Sequence, residues 1–206
     1  MTQATQRYRR LVLAVMCFTA LAVTLALFVC TSSAPRDFVG NGRTALDRTQ
    51  SAVTHTAQAP KQSVDASIER FLALFSEFEP AAVEAAARRA YAPDAYFHDG
   101  FAELEGGETV AAYLRRTAEA STELKVRIED RVVADGEVYL RWTMLFTTAG
   151  SRSRTIIAPG ITHLRFDDEG RIVYHRDYWD ASGALAEFVP GVGSILRRVK
   201  KSLESD

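Results

Sequence analysis

RIVYHRDYWD, Arg171–Asp180, is the stretch on which the reading of this chain turns. After Arg171 it has the apolar pair Ile172-Val173, whose branched side chains suit a strand. It then carries Tyr174, His175, Arg176, Asp177 and Tyr178 in succession. Successive side chains of a strand point to opposite faces. One set is therefore Val173, His175, Asp177 and Trp179, and the other is Ile172, Tyr174, Arg176 and Tyr178. Each set mixes apolar with ionisable residues, so alternation alone leaves the inward face undecided.

Working outward, the stretches before it have the same period. Leu124–Ile128, Val138–Thr147 and Thr155–Phe166 alternate as strands, separated by Ala134-Asp135-Gly136, Ala149-Gly150 and Asp168-Glu169-Gly170. Each of these turns offers a glycine where a positive φ is needed. Further upstream the period becomes helical. Val64, Ile68, Phe71, Leu72 and Phe75 share a face of a helix over 64–75. Pro80 opens a second helix through Ala90, and Gly106–Ala120 is a third, with Val110, Tyr113 and Leu114 on one face. Tyr96–Asp99 and Glu103-Leu104 are short strands around a turn at Gly100. Helices followed by an antiparallel meander predict an α+β fold.

YAPDAYFHDG (91–100) and GITHLRFDDEGRIVYHRDYWD (160–180) resemble the SnoaL-like branch of the nuclear transport factor 2-like superfamily over roughly residues 65–190. The resemblance implies a cone-shaped, curved antiparallel sheet packed on the N-terminal helices. The superfamily includes polyketide cyclases, ketosteroid isomerases, limonene epoxide hydrolases, scytalone dehydratases and many members without a reaction. RDYWD looks like the RDYFD run of limonene epoxide hydrolases, whose first aspartate points into the pocket, and this implies that Asp177, His175 and Trp179 face inward. TIIAPGITHLRF resembles the ketosteroid isomerase strand in which the position of Thr162 holds an aspartic acid, and Asp99 falls where those enzymes carry their general base. With Leu164 beside Thr162 on one face, and Trp142, Met144 and Phe146 on the next strand, the candidate pocket is Phe71, Tyr91, Phe97, Asp99, Trp142, Met144, Phe146, Thr162, Leu164, His175, Asp177 and Trp179. Such a lining suits a small, mostly apolar or aromatic molecule with one or two polar handles.

A carboxylate in an apolar hollow is pushed toward its neutral form, and two close together push each other apart in pKa. Asp99 and Asp177, with His175 two residues from Asp177 on the same face as tuner or shuttle, are thus candidates for acid–base catalysis. The resemblance also has departures. Trp142-Thr143-Met144 stands where the epoxide hydrolases place Arg-x-Asp, and Phe71 and Thr162 stand where ketosteroid isomerases place their oxyanion donors. Cyclase-type chemistry is the enzyme reading that survives these departures. The alternatives are structural: Asp99 closing the turn at Gly100, Asp177 paired within the core, and His175 a satisfied core histidine. His163 and Arg165 are expected on the convex face, where relatives pair as homodimers.

The rest of the chain sets the context. Apolar residues make up 47% of 206, and 25 Lys+Arg balance 26 Asp+Glu, so no charge excess calls for nucleic acid. CxxC, HExxH and phosphate-loop patterns are missing, and both cysteines, Cys17 and Cys30, precede the domain. No metal and no cofactor are expected. Leu11–Cys30 is 20 residues without a charge, about 30 Å as a helix, enough to span a membrane. Arg7, Arg9 and Arg10 before it favour a cytoplasmic segment over 1–10 and an extracytoplasmic domain. A cleaved signal or lipoprotein segment, or a misassigned start before a cytoplasmic domain, are the alternatives. Residues 31–63 have little periodicity and are expected to be a flexible linker before the domain at 64–190. Residues 191–206 form an amphipathic basic helix, with Ile195, Leu196, Val199 and Leu203 on one stripe. Three functions are open: a membrane-anchored ligand-binding domain, an acid–base enzyme of cyclase or isomerase type, and an assembly module acting through its sheet face.

Overall fold

The alternation in the second half of the chain becomes a single sheet, and the helices of the first half lie against it. The computed structural model describes residues 40–151, 153–181, 183 and 201. In chain order the elements are α1 (Gly40–Arg48), α2 (Gln50–Gln58), α3 (Lys61–Leu72) with a 3-10 turn at Ala73–Phe75, α4 (Pro80–Ala90), β1 (Tyr91–His98), β2 (Glu103–Glu105), α5 (Gly107–Glu119), β3 (Ser121–Ala134), β4 (Glu137–Thr148), β5 (Thr155–Phe166) and β6 (Ile172–Tyr178). From Asn41 onward the described residues form one compact unit.

The strand order is β2-β1-β6-β5-β4-β3. The meander β3 to β6 is antiparallel throughout, as the period-two stretches and their turns predict. β1 departs from this. It lies parallel to β6 and pairs antiparallel with β2 on its other side. The sheet is therefore curved and mixed rather than wholly antiparallel. The physical reason is connectivity: β1 reaches β6 across α5 and four intervening strands, and such a long connection permits a parallel pair where a tight hairpin cannot.

One face of the sheet builds the core. Val64, Ile68 and Phe71 of α3 recur at helical spacing, as do Val83, Ala87 and Ala90 of α4 and Val110, Leu114 and Ala118 of α5. They close on Val138, Leu140, Leu164, Phe166 and Ile172. Each such aliphatic side chain removed from water contributes roughly 1.5–3 kcal/mol before entropy is counted. Pro80 sits in the first turn of α4, where its missing N–H costs no hydrogen bond.

The opposite face corrects the linker expectation for 31–63 in its described part, 40–63. From Gly40 to Gln58 the chain forms α1 and α2. Ala45 packs with the stacked rings of Tyr96 and Tyr174. Arg165 Nη1 donates to the Leu46 carbonyl and to Thr49 Oγ1, and Thr56 Oγ1 donates to the Phe166 carbonyl. His163 and Arg165 do lie on the outer side, as expected, but both are buried, Arg165 against the end of α1. The segment escapes a hydropathy reading because the face it covers is itself polar. Small residues at 45, 49, 52 and 56 suffice, and they do recur at helical spacing.

Among the described residues no helix is long and apolar enough to cross a membrane. The span expected at 11–30, the segment 1–10 and, apart from Lys201, the helix expected at 191–206 lie outside the described residues.

Candidate functional site

Register fixes the inward face left open by alternation. Asp177 stands opposite Thr162, and His175 opposite Leu164, on the core side of the sheet. Tyr174 and Arg176 take the other side, under α1. The alternation breaks only at the start of β6. A register shift lets Ile172 pair with Phe166 and turn inward with it.

At the open end of the core the helices leave a cavity of about 160 Å³. An engineered apolar cavity of about 150 Å³ accepts benzene, which sets the scale. Of the twelve candidate positions, Phe71, Tyr91, Phe97, Asp99, Trp142, Met144, Phe146, Thr162, His175, Asp177 and Trp179 line it. Leu164 does not. It is fully buried in the core below the floor. Strand parity gives the face of a residue but not its depth, and at Leu164 the helices already fill the cone. The lining extends beyond the sequence candidates to Phe75 and Phe78 beyond α3, Phe101, Tyr113, Leu114 and Thr117 of α5, Leu124, Val126 and Ile128 of β3, and Ile156. The signal for β3 was its clean alternation, and for α5 the shared face of Tyr113 and Leu114.

The polar groups form two separate constellations. In the first, Trp142 Nε1 donates to Thr162 Oγ1 at 2.8 Å, and Thr162 Oγ1 donates to Asp177 Oδ1 at 2.5 Å. His175 Nε2 lies 3.0 Å from the same Oδ1, and His175 Nδ1 lies 2.6 Å from the Tyr91 hydroxyl. Burial raises the Tyr91 pKa well above its ordinary value, and the negative charges of Asp177 and Asp99 raise it further. Tyr91 therefore keeps its proton and donates to Nδ1, which leaves Nε2 to carry the hydrogen directed at Asp177. Phe71 and Phe97 meet the imidazole edge-on, with ring centroids 5.4 and 4.8 Å away, and so hold its plane. Asp177 Oδ2 receives no hydrogen bond among the described residues.

In the second constellation Asp99 uses both carboxylate oxygens. Oδ1 accepts the backbone N–H groups of Phe101 and Ala102, and Oδ2 accepts the Tyr113 hydroxyl at 2.6 Å. Gly100 makes the turn with a φ of 89°, open to glycine at no steric cost. Trp179 Nε1 donates to the Asp99 carbonyl, which ties the end of β6 to this turn. Desolvation raises the Tyr113 pKa, and Asp99 adds to the shift. The two aspartates thus line one cavity with different duties: Asp99 organises the turn at the rim, and Asp177 leaves an oxygen available.

The SnoaL-like domain model matches residues 68–175, more than half of the chain. No curated protein matches it. Among solved structures, a chain from Jannaschia sp. CCS1, named by inference only as a SnoaL-like polyketide cyclase, superposes with a TM-score of 0.53 at 19% identity. The match covers 63% of this chain and 95% of that one. TsrD from Streptomyces laurentii gives 0.51 at 22% identity, covering 63% of this chain and 96% of its own. A Shewanella putrefaciens CN-32 chain, named on the same basis as the first, gives 0.51 at 19% identity, covering 60% and 93%. At these identities the likeness is one of fold. By the domain model the chain belongs to the SnoaL-like domain family.

Proposed function

We propose that this SnoaL-like domain binds a small, mostly apolar molecule in the cavity between its sheet and helices. The observation that supports this most directly is an unfilled hollow of about 160 Å³ whose wall is almost entirely aromatic and aliphatic, with Asp177 set into it. Polar groups that merely stabilised the core would leave no such space, since interiors pack to near-crystalline density. Native mass spectrometry of the full-length chain, released from detergent, tests the reading. A copurified small molecule that Met144→Trp displaces is the expected result. A ligand-free chain that also fails to take up any apolar compound would remove the proposal.

A second reading is favoured by one specific arrangement. The chain Tyr91–His175–Asp177 links a buried hydroxyl, an imidazole and a carboxylate whose second oxygen has no donor, which is the geometry for moving a proton at that oxygen. In this reading Asp177 exchanges the proton, Tyr91 and His175 position it, and Asp99 shapes the rim rather than acting as its acid–base partner. Turnover lost in Asp177→Asn with ligand binding retained would establish an enzyme of cyclase or isomerase type. Retained turnover would exclude Asp177 as the proton carrier.

The tether at 11–30 completes the proposal and places the domain at a membrane. Resistance of the full-length chain to alkaline extraction from membranes, lost on deletion of 11–30, is the expected behaviour. Pairing through the sheet face, as a homodimer or in a larger assembly, is confined to the part of the outer face that α1 leaves open, where Ile157 and Ile161 are exposed.

A further inference from the structure

The charge inventory of the cavity narrows its ligand. Asp99 and Asp177 both line it, and none of the described lining residues is a lysine or arginine. An anion entering would meet two carboxylates without a compensating cation, in surroundings where charges are poorly screened. A neutral apolar molecule would cover Asp177 Oδ2 and take it from water without offering a donor in exchange. The aromatic faces act in the same direction. Rings of Trp142, Phe146, Phe97 and Tyr113 surround the hollow, and Phe101 and Trp179 meet edge-on with centroids 5.2 Å apart. Their π faces carry partial negative charge and attract cations, and the attraction is strongest where water is excluded. The two tyrosines feel the same field. Tyr91 and Tyr113 are both held in the protonated state in part by the carboxylates, as expected for a site of negative potential.

We infer that the cavity is selective for a small cation with apolar substituents, of the alkylammonium class, its charge against Asp177 Oδ2 and its alkyl groups against the aromatic wall. The inference rests on the small-molecule binding proposed above and names the class of molecule bound.

The chain has two tryptophans, and both line the cavity. Intrinsic fluorescence of the full-length protein therefore reports directly on occupancy. Three probes of one shape separate the possibilities: choline, its uncharged isostere 3,3-dimethyl-1-butanol, and the anion 3,3-dimethylbutanoate. Choline is expected to bind about tenfold or more tightly than the alcohol, with the anion weakest. In Asp177→Asn that preference should fall to within about twofold while the alcohol binds as before. Phe146→Leu, which leaves every hydrogen bond in place, should weaken choline more than the alcohol. If the alcohol or the anion binds as tightly as choline, the inference falls and small-molecule binding stands. If Phe146→Leu weakens choline and the alcohol equally, or Asp177→Asn keeps the preference, the inference also falls. If no probe changes the fluorescence up to its solubility limit, the inference and the binding reading fall together.

Discussion

The indole of Trp142 lies across the bare backbone of Gly160, its register partner on β5: a Cβ at that glycine would stand 2.3 Å from the ring. The contact explains how so large a side chain reaches diagonally to Thr162 and holds the hydroxyl that in turn holds Asp177. Gly160→Ala must push the ring aside. The expected cost is about 1–3 kcal/mol from overpacking, together with a loosened Thr162–Asp177 pair. Thermal denaturation measures the first effect. A red shift of tryptophan emission, as Trp142 loses its buried partner, measures the second. A variant with unchanged stability and spectrum would show that the ring is not set by this glycine.

The different employment of the two aspartates predicts different phenotypes. Asp99 accepts three hydrogen bonds, and an amide in its place can offer only one oxygen to them. Asp99→Asn should therefore destabilise the fold by about 1.5–3 kcal/mol, the range for hydrogen bonds to a charged group. Asp177→Asn should cost less, because Thr162 and His175 still find an acceptor at the amide oxygen, and its effect should be on ligand binding or turnover. Denaturant midpoints of the two variants, compared side by side, decide the matter. If Asp177→Asn proves the more destabilising, Asp177 is the structural member of the pair.

Much of this site could be read in the chain. Trp142, Met144 and Phe146 on one strand, and His175, Asp177 and Trp179 on another, follow from a period of two once a single inward residue is known. The period could not supply that first residue, because His175 and Arg176 are both polar and both partly or wholly buried. One faces the cavity and the other faces α1, and only the second helical layer explains the burial of Tyr174 and Arg165. That layer was the least legible element. Its contacts are small side chains and carbonyl oxygens, Ala45, Thr49 and the backbone of Leu46, which leave almost no hydrophobic signature. Depth was equally hidden. Leu164 and Thr162 share a face, but the floor of the cone passes between them.

Acid should weaken the polar side of the sheet in two stages. Burial lowers the His163 pKa below 6.5 and outweighs the opposing pull of Glu137. At Glu137 burial acts to raise the pKa, but the hydrogen bonds from Arg165 and His163 exceed it and hold the carboxyl below 4.5. In both cases the unfolded chain binds the proton more readily than the folded one, so stability rises with pH. The His163 contribution is complete above pH 6.5 and is lost as pH falls toward the lower folded value. The Glu137 contribution is complete above 4.5 and is lost below it. Melting temperature followed from pH 8 to pH 3 should fall across both windows. Glu137→Gln should flatten the lower one, and an unchanged slope there would exclude Glu137 as its source.

The docking of α1 should be separable from the folding of the core. Ala45 is 2% exposed against Tyr96 and Tyr174, and Ala45→Glu would force a longer, charged side chain into filled space, at a cost of several kcal/mol if the helix stayed in place. Undocking is cheaper, because α1 and α2 hold to the sheet through a few small contacts while the main core lies on the other face. The expected outcome is local release: rapid proteolysis within 40–58, exchange of the amides in that segment, and a protected fragment containing β1 to β6. The released face exposes the stacked rings of Tyr96 and Tyr174, and newly exposed aromatic surface favours self-association. Sedimentation of Ala45→Glu against the parent chain would register it. Cleavage at the parent rate with an unchanged sedimentation profile would show that the two helices are bound more firmly than these contacts imply.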